Sequence, residues 1–144
     1  MPIVNKTLIV PFTTAQMYDL VNDLESYPQF LPWCRATEVH SRTHDALKAT
    51  IYIAKGPVEH SITTVNTMQA QQLINMEYVA GPFRSCKGAW TFDNLADTQS
   101  RISFSMEYIF KNRLTAIALE PFFQPMTNNM IEAFYKRAEQ IYGH

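Results

Sequence analysis

Residues Ser100–Phe110 of this 144-residue chain, SRISFSMEYIF, alternate apolar and polar side chains with a period of two. Such alternation predicts a β-strand that buries one face and exposes the other to water. The polar set is Arg101, Ser103, Ser105 and Glu107, and the apolar set is Ile102, Phe104, Met106, Tyr108 and Phe110. The apolar face needs a packing partner, which we expect helices elsewhere in the chain to supply.

The same period extends back to Cys34, and it is clear again at Leu47, Ala49, Ile51 and Ile53. We predict six strands between Cys34 and Phe110, preceded by a β-branched strand over Ile3–Val10. Turn residues separate the six strands at His44-Asp45, Gly56-Pro57, Gln69–Gln72, Gly81-Pro82 and Asp93–Gln99. Because these connections are short, they favour an antiparallel meander over βαβ crossovers.

Two short helices are predicted after the first strand. A capping box that begins at Thr13 predicts a helix from Thr14 to about Asn22, and a repeat of the same signal predicts a second, shorter one. Because Pro28 and Pro32 disfavour further helix, we expect residues 27–33 to be irregular.

A long helical region is predicted at the C-terminus. Its apolar face, at spacings of three and four, comprises Met126, Met130, Phe134, Ala138 and Ile141. Pro121 and Pro125 interrupt the first half, so we expect Leu114–Phe123 to be a separate or kinked piece and Thr127–Tyr142 to continue without a break. The predicted fold is α+β: one domain over residues 1–144, with a curved antiparallel sheet of about seven strands wrapped around a long C-terminal helix.

The composition limits the classes of function. Hydrophobic residues make up 47% of the chain, charged residues 17%, and the formal net charge is −1. The chain lacks the positive excess that drives nonspecific nucleic-acid binding, so we expect no DNA partner. Two cysteines, Cys34 and Cys86, are expected to be free thiols, and no signal-like or membrane-spanning segment is evident. We therefore expect a cytoplasmic protein.

Catalytic motifs are missing from the sequence. There is no Gly-rich phosphate loop and no HExxH, CxxC or GxSxG pattern. The histidines are scattered over His40, His44, His60 and His144, so we expect no metal site. One catalytic alternative is open: His60 could act as a general base near Glu77 or Glu107, as in a cyclase or dehydratase.

The candidate binding residues of the chain are mostly large apolar side chains. Eight of them are expected to be core residues or to line a ligand pocket: Trp90, Phe92, Phe104, Met106, Phe123, Met126, Met130 and Phe134. A second set lies beside Pro or Gly in loops and is expected at a pocket mouth or a membrane contact: Tyr27, Phe30, Leu31, Trp33 and Phe83, with Arg84 next to them. Arg84, Lys87, Lys111 and Arg113 either contact phospholipid or RNA phosphates or form a solvated rim.

Several short motifs resemble the coenzyme Q-binding, START-like family. They are Pro11-Phe12, Met17-Tyr18, residues 20–23 (LVND), 26–32 (SYPQFLP), 81–83 (GPF), 88–92 (GAWTF) and 133–138 (AFYKRA), and they span essentially the whole chain. The resemblance implies a helix-grip fold with an apolar tunnel that binds ubiquinone or a related lipid in support of respiration. It implies no metal or covalent cofactor. Pro121 and Pro125 depart from it, since they lie where the grip helix should begin.

Within that family, the chain looks most similar to a branch of bacterial ribosome-association toxins. That branch implies binding to the large ribosomal subunit and a block of subunit joining. The preferred expectation is noncatalytic binding of an isoprenoid quinone or similar lipid, with contact at the inner membrane through the aromatic loops. The alternatives are the ribosome-association toxin and the polyketide cyclase/dehydratase-like enzyme.

Overall fold

The computed structural model describes residues 3–143. Its seven strands are β1 (Ile3–Val10), β2 (Cys34–Arg42), β3 (Ala46–Lys55), β4 (Val58–Gln69), β5 (Leu73–Ala80), β6 (Phe83–Ala96) and β7 (Gln99–Phe110). They form one antiparallel sheet in the order β1-β7-β6-β5-β4-β3-β2. The predicted meander is therefore confirmed, and β1 adds to one edge of it by pairing with β7.

Strand β7 has the two faces that its alternation predicts. Ile102, Phe104 and Tyr108 are buried at 0%, 2% and 1% exposure, whereas Glu107 lies on the outer face, where it forms an ion pair with Lys87. The turn before β7 is tighter than the predicted Asp93–Gln99, because β6 and β7 pair as far as Ala96 and Gln99. Since β7 lies between β1 and β6, its inner face contributes to the centre of the core.

The segment after β1 begins as predicted and then differs. Helix α1 spans Thr14–Asn22, and both capping-box hydrogen bonds are formed between Thr13 and Gln16. A 3₁₀-helix follows over Leu24–Gln29. The prediction that residues 27–33 are irregular was wrong for its first three residues, because Pro28 fits the 3₁₀-helix.

The C-terminal region contains two helices, α2 (Arg113–Asn128) and α3 (Met130–Tyr142). The predicted long helix is divided at Asn129, so the uninterrupted Thr127–Tyr142 helix was a wrong prediction. Pro121 and Pro125 both lie inside α2, on its exposed side. Each proline removes one intrahelical N–H donor, and the carbonyls that lose this donor belong to Ile117 and Pro121, which are both exposed residues that water can reach.

Two groups of buried side chains fill the space between the sheet and the helices. The larger one joins α1, α3 and the 3₁₀-helix to the sheet and includes Met17, Trp90 and Phe134. The smaller one packs α2 onto the ends of β3, β6 and β7 and includes Phe83 and Phe123. A cavity lies where the two groups meet, since residues of both line it.

Candidate functional site: an apolar cavity and its surface groove

A partly open cavity of about 100 Å³ lies between the inner face of the sheet and the helices. Strands β3 to β7 form one side and the helical elements form the other. The residues around it are Leu24, Tyr27, Trp33, Ile51, Ile53, Ile62, Thr64, Asn66, Met76, Tyr78, Cys86, Gly88, Trp90, Phe104, Met106, Phe123, Met126, Met130 and Phe134. The wall is predominantly apolar, so the cavity suits an apolar ligand.

Seven of the eight side chains predicted for the pocket lie around this cavity, and Phe92 does not. The exception has a simple geometric cause. Phe92 lies two residues beyond Trp90 on β6 and packs edge-on against Tyr18 of α1, with ring centroids 5.7 Å apart. The assignment of Phe92 to the pocket was therefore wrong. That the other seven bind a ligand remains a prediction.

Aromatic contacts hold α3 against the sheet beside the cavity. The ring centroid of Phe134 lies 5.1 Å from those of Trp90 and Phe30 and 5.3 Å from that of Tyr27. Trp90 also packs against Phe104 at 4.8 Å. The three contacts of Phe134 are edge-to-face, a packing that fixes ring orientations as well as burying area.

The polar groups of the wall are few, and most are already paired. The hydroxyl of Tyr27 donates to the carbonyl of Val21, and the hydroxyl of Tyr78 accepts from the N–H of Phe83 at 3.0 Å. The hydroxyl of Thr64 donates to Oδ1 of Asn66 at 3.0 Å. Sequence reasoning missed both Thr64 and Asn66, because polar residues on the inner face of β4 hide its period of two.

Cys86 contributes a thiol to the wall. Burial raises its pKa to about 12, so the sulfur is protonated and unreactive at neutral pH. Cys34 belongs to the larger buried group and does not line the cavity, and burial raises the pKa of its thiol to about 11. Both cysteines are free thiols, as predicted.

Half of the residues predicted for a pocket mouth or membrane contact are buried. Tyr27, Leu31 and Phe83 are only 7%, 1% and 2% exposed, so the expectation that they are exposed loop side chains was wrong, although Tyr27 lines the cavity. Long-range packing explains the error: α3 covers Tyr27 through Phe134, and α2 covers Phe83 through Phe123. Three other residues of the set reach the surface: Phe30 and Trp33 are half-buried, and Arg84 is exposed.

A surface groove of about 860 Å³ lies beside the cavity, between the loop after the 3₁₀-helix, the turn after β3, and α2 and α3. It shares Trp33 and Met126 with the cavity wall. Apolar groups from Phe30, Leu31 and Phe122 also line it. These two shared side chains therefore lie where the cavity and the groove adjoin.

Helix α2 also has an apolar outer surface, which we call the α2 stripe. Leu114 and Ile117 are 79% and 65% exposed, and Ala118 and Pro121 continue the stripe at helical spacing. The opposite side of the same helix is buried through Leu119, Phe122 and Phe123. Apolar side chains on both sides of a helix indicate that its outer surface has a partner.

Three cations lie close to the start of the stripe. Arg84, Lys111 and Arg113 border one shallow depression with Glu120, and across residues 3–143 none of the three cations forms an ion pair. Lys87, which was grouped with them from sequence, is instead paired with Glu107 at 2.9 Å. Positive charge therefore borders the α2 stripe.

The catalytic alternative gains no support from the geometry. His60 is exposed and does not line the cavity, and of its two proposed carboxylate partners Glu107 is paired with Lys87. Within the described part of the chain, no three His, Cys, Asp or Glu side chains are grouped as metal ligands. His144 lies outside the described residues. Among residues 3–143, no helix combines the length and hydrophobicity that crossing a bilayer requires.

The chain matches known proteins over almost its whole length. Residues 10–135 match the family described as polyketide cyclase/dehydrase and lipid transport. The ribosome association toxin RatA of Escherichia coli is 37% identical over 99% of this chain and 90% of its own. The mitochondrial coenzyme Q-binding protein COQ10 homolog B of Xenopus laevis is 26% identical over 96% of this chain and 59% of its own. A START superfamily protein from Mycobacterium smegmatis superposes with a TM-score of 0.81 at 16% identity, over 96% and 98% of the two chains, which confirms the predicted helix-grip fold.

Proposed function

The chain belongs to the polyketide cyclase/dehydrase and lipid transport family, and we propose that it holds an apolar lipid of the isoprenoid-quinone class in its cavity without transforming it. The observation that carries this proposal is the cavity wall, in which nearly every side chain is apolar. Burial of a few hundred Å² of ligand at roughly 25 cal/mol per Å² provides several kcal/mol towards binding. The 26% identity to a coenzyme Q-binding protein supports the choice of ligand class.

The size of the cavity defines what binding requires. At about 100 Å³, the cavity in this structure is smaller than the roughly 300–1,000 Å³ of typical ligand sites. Four methionines line it, Met76, Met106, Met126 and Met130. Methionine is unbranched and adapts readily to a new packing partner. We therefore infer that a ligand enlarges the cavity by displacing methionine side chains, and that its tail leaves past Trp33 and Met126 into the surface groove.

Noncatalytic binding is the better interpretation because the wall offers no acid–base pair. Its thiol is protonated at neutral pH, and its two tyrosine hydroxyls are hydrogen-bonded to the backbone. General acid–base catalysis needs a titratable group near the operating pH within reach of the substrate. His60, the one histidine proposed for that role, lies outside the wall.

The fluorescence of the protein itself tests lipid binding. The chain has two tryptophans, Trp33 and Trp90, and both line the cavity. Titration with a short-chain ubiquinone should quench tryptophan emission to saturation at one ligand per chain, and an excess of a long-chain alkane should compete. Linear quenching without saturation would mean collisional contact only, and would contradict the proposal.

We further propose that the α2 stripe contacts an anionic membrane surface from which the lipid is taken up. The composition is that of an interfacial helix, with an apolar stripe beside Arg84, Lys111 and Arg113. Lipid acyl chains would contact the apolar stripe, and anionic headgroups would contact the three cations. The proposed membrane contact is on α2 and not on the aromatic loops, because most side chains of those loops are buried.

Vesicle flotation with phosphatidylcholine containing phosphatidylglycerol tests the α2 stripe. Leu114→Ser with Ile117→Ser should greatly reduce flotation and leave the melting temperature unchanged, because both side chains are exposed. The matched control is Ile9→Ser, which removes an apolar side chain that is 51% exposed on β1. Equal flotation of the double variant and the control would contradict membrane contact through α2.

Association with the ribosome is a second candidate function, and the 37% identity to a ribosome association toxin over 99% of this chain favours it. We propose that the same free cations, Arg84, Lys111 and Arg113, would contact ribosomal RNA phosphates on the large subunit. Such contacts weaken steeply with salt, because each phosphate neutralised releases counterions.

Co-sedimentation with large ribosomal subunits separates the two functions. Arg84→Glu with Arg113→Glu should abolish pelleting, and Leu114→Ser with Ile117→Ser should leave it intact, since the stripe is apolar. Lys48→Glu is a control charge reversal at an exposed position of β3 that does not border this depression. Pelleting that does not change with salt, or with the Arg84 and Arg113 reversals, would contradict RNA contact at this patch.

A further inference from the structure

Asn66 is a polar residue buried in an otherwise apolar wall. It is 6% exposed, lies on the inner face of β4 opposite Leu47 and Met76, and borders the cavity. Its Oδ1 accepts the hydrogen bond from Thr64, and no group among residues 3–143 pairs with its Nδ2. The amide therefore presents an unused N–H donor at the cavity wall.

The Nδ2 atom is not among the fully buried, unpaired side-chain atoms of residues 3–143, so the donor keeps accessible surface beside the cavity that Asn66 lines. A ligand that covers this donor without offering an acceptor costs a hydrogen bond. In a wall selected only for core packing, Leu or Val would serve better at this position. In the structure the Thr64 hydroxyl donates to Oδ1 of Asn66, and this orientation leaves the N–H end of the amide directed to other partners. Both features fit a group that is completed by a ligand.

We propose that the Asn66 amide selects apolar ligands that carry a hydrogen-bond acceptor, such as a ring carbonyl, on the end that lies inside the cavity. This inference rests on the proposed lipid-binding function and deepens it. Asn66 does not border the surface groove, whereas Trp33 and Met126 do. The acceptor-bearing head is therefore buried beside β4, and the apolar tail points to the groove.

The proposal predicts discrimination as well as affinity. One neutral hydrogen bond in a water-excluded site strengthens binding about tenfold over a ligand that lacks the acceptor. That factor corresponds to about 1.4 kcal/mol. A hydrocarbon head of the same shape should bind more weakly than the quinone, because it also leaves the Asn66 donor without a partner.

The test measures the affinity of two probes by tryptophan quenching or competition: a benzoquinone with a short isoprenoid tail, and an aromatic hydrocarbon with the same tail. Wild type should prefer the quinone about tenfold. Asn66→Leu should abolish the preference while still binding the hydrocarbon. Thr64→Val, which removes the hydroxyl that orients the amide and keeps the shape, should reduce the preference. Thr63→Val is the matched control, since Thr63 bonds to Thr50 on the other face of β4 and should keep the full preference.

The outcomes separate this inference from the proposed function. If wild type and Asn66→Leu bind both probes with the same preference for the quinone, the role of Asn66 is overturned and lipid binding stands. If wild type saturates with neither probe, the lipid-binding function itself fails, and the inference fails with it. If Asn66→Leu does not fold, Thr64→Val tests the same proposal. An unchanged preference for the quinone in Thr64→Val would contradict selection of the ligand by the oriented Asn66 amide.

Discussion

A Cys86→Leu substitution should stabilise the protein and weaken ligand binding at the same time. Cys86 lines the cavity of about 100 Å³. Leucine adds about 50 Å³ of side chain, roughly half of that space, and at about 24 cal/mol per Å³ of cavity removed the free energy of unfolding rises by about 1.2 kcal/mol. For a domain of this size the melting temperature should rise by about 3 °C. Ligand affinity should fall at least tenfold, because the added atoms occupy the ligand's space.

Cys34→Leu is the matched control, because it makes the same chemical change at a thiol that is 4% exposed in the larger buried group, away from the cavity. There the added atoms have no space and overpack the core, at a cost of about 1–3 kcal/mol. Differential scanning calorimetry and quinone titration should therefore show opposite changes in melting temperature and a loss of affinity in Cys86→Leu alone. Destabilisation of both variants with unchanged affinity would show that the cavity is not where the ligand binds.

Three further predictions use other features of the structure. In a Cys34→Ser background, alkylation of Cys86 at pH 8 should be about 10³-fold slower in folded than in unfolded protein, because burial raises the thiol pKa from 9.0 to about 12. Saturating quinone should slow it further, and equal rates in folded and unfolded protein would contradict the buried thiol. Pro121→Ala restores an N–H donor within α2 and should make the helix more rigid. If α2 must move to admit the ligand, quinone association measured by stopped flow should be slower in this variant. An unchanged association rate would mean that the ligand enters without movement of α2. Arg42 makes two hydrogen bonds to Glu25 at 2.9 and 3.0 Å and thereby lowers the pKa of that carboxyl, so the pair stabilises the fold above the ordinary Glu pKa of about 4.3 and the stabilisation is lost as pH falls through the lowered value. Glu25→Gln should thus cost up to about 1 kcal/mol in urea unfolding at pH 7 and nothing near pH 2, and a cost independent of pH would contradict the ion pair.

The sheet could be predicted from sequence because its signals are local. The number and direction of the strands followed from the alternation along β7 and from turn residues such as Gly56-Pro57 and Gly81-Pro82. The structure confirms both the number and the direction. The break in the C-terminal helices could not be located in the same way. Proline strongly disfavours the interior of a helix, yet α2 continues through Pro121 and Pro125, which lie on its solvent side. The helix ends at Asn128, with Asn129 as its cap.

The site was predicted less completely, because exposure depends on contacts between distant parts of the chain. Tyr27 and Phe83 lie next to proline or glycine, which suggested a surface loop, but α3 and α2 cover them. Phe92 has the periodicity of Trp90 and lies under α1 instead of the cavity. Asn66 carried no apolar signal at all, and only the fold shows that its strand position faces inward.

The most direct test of the central claim is the identity of whatever the cavity holds when the protein is made in cells. The protein would be purified under mild conditions from a host with respiratory membranes, in wild-type and Cys86→Leu forms, and analysed by native mass spectrometry followed by solvent extraction. Wild-type protein should carry one isoprenoid quinone or similarly apolar lipid per chain, and Cys86→Leu should carry little or none. A wild-type protein that is folded, free of lipid and unable to take up added quinone would contradict lipid binding in the cavity.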